Sequence, residues 1–259
     1  MTYVRPKKNL GQHFLTDSKI ASRIADTLDD FANLPVLEVG PGTGMLTKHL
    51  LEKSNNLKVV EIDKESIAYL NEHFPQLHGN ILEQNFLTMD FKQHWDGQFC
   101  VIGNYPYNIS SQIFFKVLDN KDLIPCCTGM IQKEVAERMA ASHGSKAYGI
   151  LSVLMQAWYD IEYLFTVNEG AFNPPPKVKS AVIRLIRNDR KKLGCNETLF
   201  KSVVKVTFNQ RRKMIRNPIK AVLPQGIVLP EYELLTKRPE QLSIEQFVEL
   251  TNWVEQLVK

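Results

Sequence analysis

Short apolar runs recur through the first two thirds of the chain, at 36–39, 57–62, 79–86, 99–103, 125–132 and 161–167. The intervals between them are too long for hairpin turns, and several carry apolar residues at helical spacing. Leu46, Leu50 and Leu51 form one such set, and Ile67, Leu70 and Phe74 another, the second stopped by Pro75. Strands separated by helix-length segments predict a parallel sheet with helices on both faces. Residues 178–186 alternate instead, with Val178, Ser180, Val182, Arg184 and Ile186 on one side. That pattern predicts a late strand, antiparallel, at the sheet edge.

The character changes after Asn188. Residues 189–194 read as a charged linker, and helical patterns follow at 197–208, 213–222, 231–236 and 243–258, punctuated by Pro224, Pro230 and Pro239. The last begins with a capping-box pair, Ser243 and Gln246. The expected organisation is an α/β domain over 1–187 and a small helical domain over 188–259.

Composition narrows the class. A chain of 259 residues with 44% hydrophobic and 23% charged residues can bury a sizeable core. No apolar run approaches the roughly 18–20 residues that span a bilayer. The basic residues of the 1–8 segment lack a following apolar stretch, so they do not read as a secretory signal. Cys100, Cys126, Cys127 and Cys195 form no C-x-x-C pair and read as reduced thiols, which makes a cytoplasmic protein the expectation. The six histidines show neither H-x-x-x-H nor H-x-E spacing, so no metal is expected. The net charge of +4 hides an asymmetry: residues 177–220 hold 14 Lys and Arg against 2 Asp and Glu. Such a concentration in an otherwise acidic chain favours a polyanionic partner, with RNA or DNA the economical candidate.

Two motifs carry chemistry. The first is Gly40-Pro41-Gly42-Thr43-Gly44, placed between a strand and a helix, where glycines let the backbone approach a ligand. Glu61 ends the next strand, 21 residues after Gly40, where a carboxylate can accept from both ribose hydroxyls of a nucleotide-like cofactor. A dinucleotide fingerprint is spaced G-x-G-x-x-G; here the spacing is G-x-G-x-G with Glu38 two residues ahead. This favours S-adenosylmethionine (SAM), which has no phosphate and tolerates a carboxylate near its sulfonium.

The second motif is Asn104-Tyr105-Pro106-Tyr107, at the end of the 99–103 run. An adenine amino nitrogen is a poor nucleophile because its lone pair is delocalised into the ring. Two acceptors, the Asn104 side-chain oxygen and the Tyr105 or Pro106 carbonyl, would take its two N–H bonds and turn the lone pair outward. Tyr107 can stack on the base, worth roughly 1–3 kcal/mol. The pair of motifs therefore points to methyl transfer onto an exocyclic nitrogen of adenine. Phe172, which opens the proline-fixed loop 172–177, is a candidate second face for an extruded base.

Over its whole length the chain resembles the small-subunit ribosomal RNA adenine N6-dimethyltransferases, the group whose loss confers kasugamycin resistance. The segments that carry the resemblance are 8–15, 104–110, 132–135, 172–180 and 208–213. It implies a Rossmann-like SAM-binding sheet and dimethylation of two neighbouring adenosines in a hairpin loop near the 3′ end of the RNA. The partner it implies is small-subunit RNA within an assembling ribosomal subunit; a monomer is the default expectation for the chain itself. By the same resemblance His13 and Leu15 line the methionine end of SAM, Gly40 and Gly42 contact the cofactor, and Glu61 holds the ribose. Asn104 would bridge cofactor and target amine, with Pro106, Tyr107 and Phe172 completing the catalytic set. Asn85 stands where the family usually has Asp to accept from the cofactor's adenine amino group; an Asn carbonyl would still accept there. Arg211, Arg212, Lys213 and Arg216 would begin a helix on the RNA-facing surface, with Lys177 beside the proline loop. A large-subunit adenine methyltransferase of the macrolide-resistance type and a non-catalytic assembly factor are the alternatives. Residues 146–153 and 208–213 argue against the first, and intact Gly40, Glu61, Asn104 and Tyr107 against the second.

Overall fold

A computed structural model describes residues 4–54 and 56–258. Residues 1–3 of the basic N-terminal segment lie outside the described part. Among the described residues nine strands occur in chain order: β1 (Phe14–Leu15), β2 (Val36–Val39), β3 (Leu57–Val60), β4 (Ile81–Leu82), β5 (Cys100–Asn104), β6 (Cys126–Gln132), β7 (Tyr159–Val167), β8 (Phe172–Asn173) and β9 (Ser180–Arg187). The α-helices are α1 (Ser18–Ala25), α2 (Thr47–Lys53), α3 (Lys64–His73), α4 (Ser110–Asp119), α5 (Lys133–Ala140), α6 (Ile150–Gln156), α7 (Glu197–Asn209) and α8 (Ile244–Val258). Two compact units result: Met1–Ala136 with Asp160–Arg187, and Glu137–Tyr159 with Asn188–Lys259. The segment Glu137–Tyr159 thus groups with the C-terminal unit, whereas the sequence expectation kept it with the first.

In the first unit seven strands form one sheet in the order β4-β3-β2-β5-β6-β9-β7. β4 through β6 run parallel, and β9 returns antiparallel against β6 with Met130 opposite Val182. β2, Val-Leu-Glu-Val, is buried at all four positions, which is why it reads as a continuous apolar run. β9 is not the edge strand the alternation suggested. Its first four residues are all buried, while β7, outside it, shows the in–out alternation of a strand covered on one face. Caps fix the helix starts: Asp17 accepts from the Lys19 and Ile20 amides at α1, and Asp63 from the Glu65 amide at α3.

In the second unit α7 and α8 form as expected. α8 carries the reciprocal bonds of a capping box, Gln246 N–H to Ser243 Oγ at 3.2 Å and Ser243 N–H to Gln246 Oε1 at 3.1 Å. Phe208 stacks on Phe247 at 5.9 Å and meets the Tyr148 edge at 6.0 Å. The patterns at 213–222 and 231–236 form only short 3-10 turns, Pro218–Val222 and Glu233–Thr236. Prolines bracket them, and segments so short do not sustain an α-helix.

Candidate active site

The strand order reverses at β2, whose neighbours β3 and β5 lie on opposite sides, so connections leave in both directions and a crevice opens at the C-terminal edge. There, within the first unit, lies a cavity of about 260 Å3. Gly40 and Gly42 reach it from the end of β2, Glu61 from the end of β3, Asn85 from the loop after β4, and Asn104 through Tyr107 from the end of β5. Four turns far apart in sequence converge because parallel strands deliver their C-terminal ends to one edge.

The glycine turn owes its shape to its residues. Gly40, Gly42 and Gly44 all have positive φ, and a Cβ on Gly42 would meet the Phe14 ring at 2.8 Å. α2 starts only at Thr47, so the turn itself, rather than a helix end directly after it, faces the cavity. Glu61 is fixed by its own chain. Its Oε1 accepts from the Ile62 and Asp63 amides at 2.8 and 2.9 Å, and its Oε2 from Gly42 N–H at a long 3.4 Å, which leaves Oε2 with capacity for a hydroxyl. Burial pushes this carboxyl up, and the three backbone donors oppose the push.

Glu38 lies behind the turn, 1% exposed, accepting from Thr47 Oγ1 at 2.7 Å. Burial pushes its carboxyl up to about 8; the Thr47 bond opposes that, and the charge of Glu61 adds to it. The folded state then holds a proton that the unfolded chain releases near 4.5, so this contribution to stability is complete below 4.5 and is lost as pH rises through about 8. Glu38→Gln keeps a partner for Thr47 and removes the titration. Urea unfolding should show its stability falling less than wild type between pH 5 and pH 8, by on the order of 1 kcal/mol per pH unit. Parallel pH profiles for the two proteins would dismiss a proton on Glu38.

The Asn-Tyr-Pro-Tyr turn is anchored from below. The Tyr105 amide donates to the Met130 carbonyl at 3.0 Å, extending the ladder one residue past β5, and Pro106 then ends it. The Pro106 carbonyl already accepts from the Ile109 amide at 3.2 Å, which leaves the Tyr105 carbonyl as the less committed acceptor. Asn104 donates through Nδ2 to the His13 carbonyl at 2.9 Å, so Oδ1 is the atom it offers the cavity. Tyr107 is half-buried, with its hydroxyl against Ser180 Oγ and its ring on the His13 imidazole, centroids 5.3 Å apart. His13 is held in turn through Nδ1 to the Pro174 carbonyl at 2.8 Å.

Several expected residues stand elsewhere. Leu15 is buried in the core and contributes to β1, which pairs with β8 through Leu15 opposite Phe172. Phe172 itself is 4% exposed and belongs to the same apolar cluster, so its ring does not reach the cavity and the two-aromatic sandwich is not formed. The cause is the β1–β8 pairing, which commits both residues to the core. Asn85 does line the cavity, but its Oδ1 accepts from the Leu87 amide at 3.0 Å in an Asx turn, so the expected carbonyl is already engaged.

The basic cluster needs a further correction. α7 ends at Asn209, and residues 211–216 form turns rather than a helix start. Arg211 is half-buried, donating to the Ser145 carbonyl at 3.3 Å with Glu240 at 4.0 Å, so it joins loops of the second unit. Arg212, Lys213 and Arg216 are exposed beside an exposed Met214, while Lys177 is exposed in the first unit. The charge run overstates free charge: Arg184 pairs with Glu162 and Asp30, and Arg190 with Glu245.

Sequence reasoning missed Asp63, Lys7, Gln12 and Asn108. Asp63 accepts from the Lys7 ammonium, from Gln12 Nε2 at 3.1 Å and from Ser66 Oγ at 3.3 Å; Asn108 donates to the Asn9 carbonyl at 3.4 Å. The available signal was an acid two residues past Glu61, opening a helix.

Among the described residues lining the cavity there is no Lys or Arg, and the one carboxylate is Glu61. Such a lining suits a cationic, phosphate-free ligand with ribose hydroxyls, and Ile62 adds an apolar face that is 51% exposed. With a mostly parallel sheet presenting it, the site is that of a SAM-dependent methyltransferase. The model of the family described as ribosomal RNA adenine dimethylase matches residues 4–256, and the chain belongs to that family. It is 67% identical over 253 residues to a ribosomal RNA small subunit methyltransferase A of Parabacteroides distasonis, covering 97% of this chain and 94% of that protein. Among solved structures, a dimethyladenosine transferase from Plasmodium falciparum aligns with a TM-score of 0.76 at 25% identity, covering 94% of this chain and 98% of the other. The 23S rRNA methyltransferase ErmE aligns with a TM-score of 0.66 at 26% identity over 94% of this chain and 100% of its own. Among the described residues no helix is long and apolar enough to cross a membrane.

Proposed function

We propose that the chain, as a monomer, dimethylates the N6 amino groups of two adjacent adenosines in a hairpin loop near the 3′ end of small-subunit ribosomal RNA, within an assembling subunit. The observation that carries this reading is the Asn104 amide. With its Nδ2 committed to the His13 carbonyl, Oδ1 is left to accept from a target amine, and the Tyr105 carbonyl supplies a second acceptor. Both N–H bonds of an adenine amino group are then held, and its lone pair turns out of conjugation. SAM, when bound, supplies the electrophilic methyl group. Glu61 accepts from the ribose, the glycine turn lets the backbone come close, and the free face of Tyr107 receives the base. The small-subunit substrate is favoured over large-subunit RNA by the 67% identity to a protein named for the small subunit.

A tritiated-SAM assay offering small subunits that lack the modification beside naked large-subunit RNA tests the reading. Dimethyladenosine from the small subunit alone is expected; label confined to large-subunit RNA would reassign the substrate. Arg212, Lys213 and Arg216 are the proposed phosphate contacts of the second unit, with Lys177 in the first. Replacing those three with alanine should weaken RNA binding and flatten the plot of log affinity against log salt by about 2, as expected for three lost contacts. An unchanged slope would remove the turn from the interface.

A further inference from the structure

We propose that Asp63, which does not line the cavity, is a positioning residue that sets how long SAM or its product is held, by latching the 7–13 segment over the cofactor. The inference rests on the cofactor occupying the cavity described above.

The N-terminal segment is anchored by apolar burial only at its ends, at Val4 (5% exposed) and Leu15 (3%). No residue from Arg5 to Phe14 is buried, yet Asn9 through Phe14 form one wall of the cavity. Polar contacts hold this stretch down, and Asp63 gathers the strongest. Its side chain is fully excluded from solvent and takes the Lys7 ammonium and the Gln12 amide. Gln12 Oε1 accepts in return from the Lys7 amide at 2.9 Å, which closes a small ring of bonds. Lys7 also lies 3.2 Å from Glu65. Burial pushes the Asp63 carboxyl up, but Lys7 and Gln12 outweigh it and hold the group below its ordinary range, ionised at neutral pH.

A buried carboxylate satisfied this way strongly resists losing one partner, because the charge is then left unpaired. The same residue touches the binding machinery from its other side. The Asp63 amide donates to Glu61 Oε1, so the latch and the ribose-binding carboxylate share one residue. A segment pinned by polar bonds between two apolar anchors can lift as a unit without disturbing the core. Loss of a bound ligand then requires the Lys7–Asp63–Gln12 ring to open.

The test is S-adenosylhomocysteine release, measured by stopped-flow displacement on the full chain with Asp63→Asn, Lys7→Met, the double variant and a Glu61→Gln control. Asparagine keeps one acceptor oxygen to cap α3, so Asp63→Asn removes the charge and sets an N–H against the Gln12 amide, breaking the ring at two points. Each single variant should speed release about tenfold with little change in association, as is usual when contacts around a bound ligand are lost. The KM for SAM should rise while kcat at saturating SAM holds. The double variant should match the stronger single one, because both break one latch. Amide exchange in residues 7–13 should quicken in Lys7→Met, which keeps the test open if Asp63→Asn folds poorly. Unchanged release in Lys7→Met, or additive effects in the double variant, would overturn the latch while leaving the cavity intact. An unaffected Glu61→Gln would remove the cofactor from this cavity, and the latch proposal with it.

Discussion

Replacing Asn104 with alanine is expected to lower kcat for methyl transfer by about 10²- to 10³-fold, the cost of removing one preorganised polar partner of a reacting group. The variant loses two things. The proposed Oδ1 acceptor for the target amine is gone, and Nδ2 no longer holds the His13 carbonyl at 2.9 Å. Asn104→Asp separates them. It keeps an acceptor for the amine but sets a carboxylate oxygen against the His13 carbonyl, so the cavity wall is disturbed while acceptor capacity remains. If the acceptor governs catalysis, Asp should keep more kcat than Ala at saturating SAM while its cofactor affinity suffers at least as much. Should both variants lose only cofactor affinity and keep wild-type kcat, Asn104 would be an anchor for the N-terminal segment and nothing more.

The same residue shows which features can be read from sequence. Asn104 and the glycine turn were legible because their chemistry is local: a strand's apolar run, then a turn whose residue types admit few roles. Glu61 was legible because a β-α-β repeat fixes the distance between successive strand ends. The sheet's parallel part followed from the same periodicity. What could not be read was which distant partner each side chain would choose. Arg211 belongs to a basic run, yet its partners, Ser145 and Glu240, lie 66 residues before it and 29 after it. Phe172 opens a loop suited to stacking on a base, but its pairing with Leu15 across 157 residues decides its fate. Asn85 lines the cavity, but its carbonyl is engaged by an Asx turn to Leu87 that the loop's local path sets. Residues 137–159 read as a continuation of the α/β pattern, and only three-dimensional packing groups them with the helical unit. At Arg211, Phe172 and residues 137–159 the one-dimensional pattern was overridden by tertiary competition, whereas at Asn85 the competing contact was local.

Tyr105 shows the reverse, a residue inside the motif whose structural role the sequence pattern did not suggest. Gly103 and Gly129 face each other across β5 and β6. The Tyr105 ring fills the space where their side chains would be, and its hydroxyl donates to the Thr128 carbonyl at 2.7 Å. A Cβ on Gly129 would overlap the Gly103 carbonyl oxygen and stand 2.7 Å from the Tyr105 ring, at a φ of 149° that disfavours any side chain. Gly129→Ala is therefore expected to cost on the order of 3 kcal/mol or more, at the upper end for overpacking because one of the overlaps is with backbone. Urea denaturation would measure it. Any protein that still folds should also have reduced kcat, because the strand that must give way carries Asn104 at its end. The double variant Gly129→Ala/Tyr105→Leu separates the two overlaps. Removing the ring relieves one contact and leaves the carbonyl, so the double variant should be no more stable than Gly129→Ala. If Tyr105→Leu restored the lost stability instead, the ring alone would be the reason this position holds glycine, and the close approach of the two strands would be a consequence of Tyr105 rather than its cause.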